Sequence, residues 1–194
     1  MSEPAKKKAT YDDLCRVPEN MTGEIINGEL IVTPRPSTEH SLASSCLGAE
    51  LIPPYYHGRG GGPGGWVILD EPEGRFGENI LVPDLAGWRK DRFSRPKTTN
   101  YISVTPDWVC EVLSPSTARI DKMEKMPIYA RHGVLYLWLV DPVGKTLDVF
   151  KLKGGEWMVA GLYVGDAVVR AEPFQEIEID LSVLWLEEGP EGTE

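Results

Sequence analysis

Trp108-Val109-Cys110-Glu111-Val112-Leu113, running into Ser114-Pro115-Ser116-Thr117, is an apolar segment interrupted by one carboxylate. Its length and its flanks, Pro106-Asp107 on one side and Ser-Pro-Ser-Thr on the other, read as a buried strand. A carboxylate in such a strand is costly unless it is paired, hydrogen-bonded or bound to a metal. A second apolar run upstream, Ile80-Leu81-Val82-Pro83-Asp84-Leu85-Ala86, carries a second acid, Asp84. Side chains alternate across a strand, so Val109, Glu111 and Leu113 share one face, while Val82, Asp84 and Ala86 share another. If the two strands are neighbours, opposed carboxylates have Cβ atoms about 5 Å apart. That separation suits one Mg²⁺, which takes oxygen ligands at about 2.1 Å and keeps several waters. Such an ion lowers the pKa of a bound water and offsets charge on a phosphoryl transition state. Lys125, on the helix predicted next, could orient the water or stabilise a developing oxyanion.

Each residue also has a plainer reading. Asp84, after a proline, can end a strand or start a turn. Glu111 can form a structural salt bridge, with Lys125 as its partner. Lys122 and Glu124 flank Lys125 closely and suit a solvated helix face. Asp107 marks the entry of the Glu111 strand. The three residues together, more than any one of them, point to metal-assisted hydrolysis.

Bulk properties bound the alternatives. The chain has 194 residues, 41% hydrophobic and 26% charged, ordinary for a soluble globular protein of one substantial domain. Its apolar stretches are strand-length, so no membrane span is predicted. Met-Ser-Glu-Pro-Ala-Lys-Lys-Lys has no apolar segment behind its basic run and does not read as a secretory signal. Cys15, Cys46 and Cys110 lie in apolar patterns without a CxxC pair, which predicts reduced core thiols and a cytoplasmic location. The histidines at 40, 57 and 132 do not stand at zinc-ligand spacing from them. A net charge of −10 counts against tight nucleic-acid binding through an overall basic surface. Basic residues do concentrate from Arg89 to Lys97 and from Arg119 to Arg131, where a local basic face can form.

The order of elements predicts one α/β domain over 10–186, with a mixed central β-sheet flanked by helices. Disordered tails are expected at 1–9 and 187–194. Thr10-Tyr11-Asp12-Asp13 reads as a capping box opening a helix to about Val17. Glu24 to Val32 reads as a hairpin closed by Asn27-Gly28 in a type I′ turn. Ser37 or Thr38 caps a helix to about Ile52, with Ala43, Cys46, Leu47 and Leu51 as its apolar stripe and Pro53-Pro54 as its stop. Gly58 to Gly65 is a loop without the Gly-Lys-Ser/Thr ending of a P-loop. Strands are predicted at 66–70, 80–87 and 108–113. A helix capped by Ser116 or Thr117 reaches Arg131, kinked or split by Pro127 and stopped at Gly133. Strands follow at 134–140, 146–151, 157–163, 167–171 and 175–179, with a last turn at 181–186.

Read whole, the sequence resembles the PD-(D/E)XK nuclease superfamily, and within it a large bacterial family of restriction-endonuclease-like proteins. The residues that carry the resemblance are Gly23-Glu24-Ile25-Ile26-Asn27-Gly28-Glu29-Leu30, Pro36, His40, Val82-Pro83-Asp84-Leu85 and Pro106 through Ser116. They continue with Asp121, Lys125, Tyr129-Ala130, Gly133-Val134 and Trp138-Leu139-Val140-Asp141-Pro142. Together they span about residues 10 to 185. The resemblance implies a restriction-endonuclease-like fold with an N-terminal hairpin and additional C-terminal strands. It implies Asp84 and Glu111 as Mg²⁺ ligands (Mn²⁺ substituting), with the backbone carbonyl of Val112 as a third.

One departure stands out. The third position of the Glu-x-Lys element is Leu113, so the superfamily's strand lysine is missing, and Lys125 on the helix is its implied replacement. Lys122 is the spare candidate and a possible substrate contact. Glu24 is implied as an additional acid, against a hairpin residue on the solvent face. His40 is implied as a phosphate or carboxylate contact, against a capping or core histidine. Tyr129 and Trp138 read as core, and Asp121 as a helix-surface or site-supporting acid.

The function so implied is a Mg²⁺-dependent endonuclease acting on nucleic acid, DNA foremost, by metal-activated water, assembled as a homodimer with no membrane association. The alternative is a non-catalytic nuclease-like module for binding or scaffolding. Net charge, Leu113 and Pro127 favour that alternative. A hydrolase for some other phosphoester is the third reading.

Overall fold

Asn27 and Gly28 have φ of 52° and 85°, the left-handed pair that a type I′ turn requires. They close the first hairpin in the computed structural model, which describes residues 7–187. Ahead of the hairpin, α1 (Tyr11–Leu14) carries the predicted Thr10/Asp13 capping box. It ends three residues early because the chain turns at Pro18, whose carbonyl accepts from Met21 N–H at 2.9 Å. β1 (Met21–Ile26) and β2 (Glu29–Pro34) pair antiparallel with Ile26 opposite Glu29. Lys8 and Ala9, assigned to a disordered tail, lie against this hairpin region. Ala9 N–H donates to Gly28 O at 2.8 Å, and Lys8 pairs with Glu78 at 2.6 Å. Lys7 and Glu187 are exposed and in no regular element, and the rest of the two expected tails, 1–6 and 188–194, lies outside the described residues.

Ser37 is the N-cap of α2 (Thr38–Tyr56), its Oγ accepting from His40 N–H. Ala43, Leu47 and Leu51 are fully buried on one side of it. The prolines at 53 and 54 do not stop this helix; it runs a further turn, to Tyr56. Each proline removes one helical N–H, yet Pro54 serves the packing. Its carbonyl accepts from Gly64 N–H at 3.0 Å, and its ring lies so close to Gly62 that a Cβ there would sit 2.2 Å from Pro54 Cβ.

The predicted strand over 80–87 is two strands in two sheets. After β3 (Trp66–Asp70) and β4 (Gly74–Phe76), β5 (Asn79–Leu81) pairs with β1 and β4, giving a small sheet of order β2-β1-β5-β4. Val82-Pro83-Asp84 then leads into β6 (Leu85–Arg89), which belongs to the central sheet. Pro83 has no N–H to continue a ladder, which makes it a natural corner. The central sheet is completed by β7 (Trp108–Val112), β8 (Tyr136–Asp141), β9 (Thr146–Lys153) and β10 (Glu156–Val164), in the order β10-β9-β8-β7-β6-β3. β7 and β8 run parallel and the other pairs antiparallel. The predicted mixed sheet is therefore present.

Alternation along β7 sorts the core into two layers. Trp108, Cys110 and Val112 join Trp66, Ile68 and Trp138 under the α2 stripe. Val109 and Leu113 face the opposite way, into a cluster with Ile26, Leu81, Ile128 and Tyr129. Burying each such large side chain contributes about 1.5–3 kcal/mol. Glu111 shares the face of Val109 and Leu113, so an acid stands inside an apolar layer.

The helical stretch after β7 is split, as Pro127 predicts, into α3 (Ala118–Ile120), a π-helical turn (Asp121–Lys125) and α4 (Met126–Arg131). Ser114 Oγ, not Ser116 or Thr117, accepts the opening N–H, from Thr117 at 3.2 Å. Gly133, at φ 76°, ends α4. The last predicted strands shrink to β11 (Val168–Val169) and β12 (Ile179–Asp180). The chain between them turns to insert Phe174 among the rings of Tyr55, Trp66, Trp108 and Trp138, with centroids 4.6–5.6 Å apart. Of the cysteines, Cys110 is buried and Cys46 half-buried, but Cys15 is exposed at the end of α1, where the helix stops too soon to cover it.

The contact between Pro54 and Gly62 makes a direct test of the α2 end. Gly62→Ala should destabilise the fold by roughly 1–3 kcal/mol, the usual cost of overpacking, measured as a lowered urea midpoint. An unchanged midpoint would show that the 58–65 loop moves away at no cost.

Candidate active site

Leu85 pairs with Cys110 across β6 and β7, so continuing the register one step places Asp84 opposite Glu111. The corner at Pro83 turns Asp84 out of the ladder, and its carboxylate is tied down. Asp84 Oδ2 accepts from Val112 N–H at 2.7 Å, and Oδ1 lies 3.2 Å from His40 Nε2. His40 occupies the first turn of α2, so the helix cap and the β6 corner meet at this residue. Glu71, directly after β3, donates its N–H to Asp84 O at 3.0 Å and holds a left-handed φ of 41°.

Glu111 is 2% exposed and both its oxygens have donors. Lys125 Nζ lies 2.8 Å from Oε2, and the Tyr129 hydroxyl donates to Oε1. Lys125 is itself 3% exposed and also reaches Glu24 Oε1 at 3.1 Å and Asp121 Oδ1 at 3.5 Å. Glu24 in turn accepts from Val82 N–H at 2.7 Å. Asp121, Lys125 and Tyr129 stand at i, i+4 and i+8, and all three are buried. The π-turn that carries the first two closes where Met126 N–H bonds Asp121 O. Such turns recur at functional sites because they re-aim side chains within a helix.

Electrostatics follow from this crowding. Burial pushes the Glu111 carboxyl well up; Lys125 opposes that, and the charges of Asp121, Asp84 and Glu24 add to it. Burial also raises Asp121, with Lys125 opposing. For Lys125, burial favours the neutral amine, but Glu111, Glu24, Tyr129 and Asp121 outweigh it and hold the ammonium firmly charged. His40 is pulled down by burial and pushed up further by its hydrogen bond to Asp84 and the Asp84 charge, ending above its ordinary value.

These groups line one open cleft of about 390 Å³. Glu24, Glu71, Asp84, Glu111 and Asp121 are its acids; Lys125 and Arg35 are its fixed cations, and His40 can add a third. Acids outnumber cations, and a carboxyl whose pKa is raised by like charge is relieved by a bound cation. Among the described residues, no group of three His, Cys, Asp or Glu side chains forms a cage for a metal ion. Asp84, Glu111 and the Val112 carbonyl are all hard oxygen donors, the kind Mg²⁺ takes while retaining several waters. The donor set therefore fits Mg²⁺.

Of the residues singled out in the sequence, Glu24, His40, Asp84, Glu111, Val112 and Lys125 come together at this cleft. Lys122 does not. The π-turn that aims Asp121 and Lys125 inward leaves Lys122 exposed and off the cleft wall. Glu24 is buried at the site, not on a solvent face of the hairpin. Of the two readings of Asp121, helix-surface or site-supporting acid, the structure has the second: it is a buried member of the cluster, at i, i+4 spacing to Lys125. Tyr129 is core, yet its hydroxyl serves Glu111. Glu71 lies on the cleft wall with no pattern in the sequence to mark it.

A mixed sheet that brings Asp84 and Glu111 to one cleft, with a lysine buried behind them, defines a nuclease-like protein of PD-(D/E)XK type. The fold is similar to a crystal structure described as "a putative nuclease belonging to DUF820" from Anabaena variabilis ATCC 29413. The TM-score is 0.73 at 25% identity, covering 91% of this chain and 97% of that one. The chain belongs to the Uma2 family, described as "Putative restriction endonuclease", whose pattern matches residues 9–183. Comparison with curated proteins finds no match.

Two outcomes test the charge arrangement. In metal-free protein, NMR should report a His40 pKa above the ordinary histidine value of about 6.5, and Asp84→Asn should lower it. The sign for stability follows: because the folded value is raised, this pair's contribution is complete below about pH 6.5 and is lost as pH rises through the folded value. His40→Gln should flatten that part of the pH–stability curve. Separately, Lys125→Met strands buried carboxylates and should cost roughly 3–5 kcal/mol in urea unfolding near neutral pH. The loss should shrink at acid pH, where those carboxyls protonate.

Proposed function

We propose that this protein is a Mg²⁺-dependent nuclease hydrolysing phosphodiester bonds of DNA. The observation that carries the reading is the meeting of Asp84 and Glu111 in one acid-rich cleft, in a chain of a restriction-endonuclease-like family. Asp84, Glu111 and the Val112 carbonyl would hold the ion. When bound, Mg²⁺ lowers the pKa of a coordinated water and offsets charge building on the phosphate.

The remaining work falls to the chain's own residues. Val112 N–H fixes the rotamer of Asp84 through Oδ2, and His40 holds Oδ1. Tyr129 and Lys125 fix Glu111. Lys125 has three N–H donors and four oxygens within 3.5 Å, from Glu111, Glu24, Asp121 and the Val82 carbonyl. Its hydrogen bonds are spent inside the protein, so it acts as a positioning residue whose charge also favours an anionic substrate nearby. His40 lies on the cleft wall with Nε2 on Asp84 Oδ1 and Nδ1 buried without a partner among the described residues, so it holds Asp84 in place and has no free N–H for the phosphate contact that the resemblance implies.

The same saturation of Glu111 by Lys125 and Tyr129 favours a second reading, a structural ion pair in a non-catalytic module. The two part cleanly in one experiment: a panel of single- and double-stranded DNA and RNA incubated with Mg²⁺, Mn²⁺ or EDTA. The nuclease reading expects metal-dependent cleavage of DNA that falls at least about tenfold in Asp84→Ala and Glu111→Gln, since disturbing even the partners of metal ligands costs about 10–100-fold. Calorimetry on the same proteins should show Mg²⁺ binding to the parent alone. No cleavage of any substrate together with no Mg²⁺ binding would leave the scaffold reading standing.

A further inference from the structure

A second groove, of about 560 Å³, lies along the free edge of the central sheet, outside the acid cleft. Its floor is β3. Lys90 N–H bonds Gly65 O and Glu71 N–H bonds Asp84 O across the β3–β6 pair. Alternation along that antiparallel ladder leaves the peptide groups of Trp66, Ile68 and Asp70 pointing away from β6. One wall is the C-terminal end of α2, with Ile52, Tyr56 and His57; the other is the 93–102 segment. Both walls are braced. Lys90 donates to Tyr56 O at 2.7 Å and stands 4.6 Å over its ring. Phe93 packs edge-on against Trp88 at 5.5 Å, and Ile102 is bonded on both sides to the 73–75 segment.

The lining divides by chemistry. Val67, Leu69 and Ile102 are aliphatic, while Tyr56 and Phe93 present aromatic rings, Tyr56 being 41% exposed. The polar groups are Arg95, His57 and Asn100, and no carboxylate lines the groove. In a chain of net charge −10 a groove whose only charges are cationic is selective for anions. Neighbouring Arg92 is neutralised by Asp107. Arg95 and Asn100, by contrast, hold no ion pair or side-chain hydrogen bond among the described residues, so their donors are open to a ligand. The size is that of a small-ligand site, apolar with a few convergent polar groups.

We propose that this groove is a nucleotide subsite. It takes a nucleobase between apolar and aromatic walls, the Asn100 amide facing the base edge and Arg95 the adjoining phosphate. The proposal rests on the nuclease reading for its purpose: the base would belong to the strand being cut. Geometry links the two sites. The chain runs along β3 from Val67 on the groove floor to Glu71, the residue just past it on the acid-cleft wall, four residues or about 13 Å. About four nucleotides of one strand span that distance at the ~3.4 Å rise of a duplex strand. The groove would then select or anchor a base a few positions from the scissile phosphate. An edge strand can also accept an extended peptide, but unpartnered arginine and amide groups beside exposed rings favour the nucleotide.

The test uses the full chain in EDTA, so that nothing is cleaved, and follows amide shifts by NMR with dAMP, deoxyadenosine and inorganic phosphate. Saturable dAMP shifts are expected at Val67, Leu69 and Asn100 and not at Thr117 or Asp121 of the acid cleft. Deoxyadenosine and phosphate alone should bind at least tenfold more weakly, and Arg95→Ala should weaken dAMP at least tenfold. Shifts confined to the acid cleft, no shifts at all, or dAMP binding indifferent to Arg95→Ala would overturn the subsite. So would shifts at Trp66, Ile68 and Asp70 that an extended apolar peptide produces and dAMP does not. The two proposals fail separately. Asp84- and Glu111-dependent cleavage without dAMP binding removes only the subsite; dAMP binding without cleavage of any nucleic acid removes only the nuclease reading.

Discussion

The ammonium of Lys125, buried among Glu111, Glu24 and Asp121, is the interaction on which the rest of the arrangement depends. Its partners come from β7, β1 and the π-turn, and it also approaches the Val82 carbonyl at the corner between the two sheets. One cation therefore ties together the hairpin sheet, the central sheet and the broken helix. A charge this deep is tolerated only with close partners, and those partners are tolerated only because the cation is there. Removing either side exposes the other. The apolar layer around them, with Val109 on β7 and Leu113 just past it flanking Glu111, raises the stakes by excluding water that would otherwise screen the charges.

This dependence accounts for two features that looked anomalous in isolation. Leu113 occupies the position where the superfamily pattern has its lysine, and it is buried in the same apolar cluster as Ile128 and Tyr129. The cation that would have approached Glu111 along the strand approaches it from the helix. Pro127 looked hostile to that route, since it disrupts the helix just past Lys125. In the fold the disruption takes the form of the π-turn itself, and α4 begins at Met126 with the proline in its first turn, where a missing N–H costs nothing. The proline separates two helical segments that each keep regular bonding, and Lys125 sits at the seam.

Local chemistry in the sequence accounted for much of the fold. Asn27-Gly28, Ser37, Gly133 and the alternation of β7 each act through their own backbone or side-chain preference, and each appears where that preference puts it. The errors arose where distant packing overrode a local signal. Pro53-Pro54 would end an isolated helix, but here Gly62 accommodates Pro54 and the turn continues. Ile80 to Gly87 is one apolar run, yet it serves two sheets, because strand period alone cannot say which ladder a residue joins. At the site, Glu111 and Asp84 were visible because acids in apolar runs need partners. Tyr129 and Glu71 were not, since a tyrosine in a core and a glutamate after a strand are ordinary until their neighbours are known.

The net negative charge of the chain takes on a different meaning once it is placed. Five acids meet in one cleft, where excess negative charge favours a divalent cation over a bare phosphate. Free cationic and amide groups lie at the opposite end of β3, in a groove with no acid. A polyanion approaching such a surface is repelled from an empty acid cleft and drawn to the groove, and the repulsion falls only when a cation enters the cleft. Substrate engagement and metal occupancy would then be coupled through charge alone, with no conformational change required. On this argument an overall count of −10 would not weigh against the proposed nucleic-acid binding; it would set the order in which metal and strand are accepted.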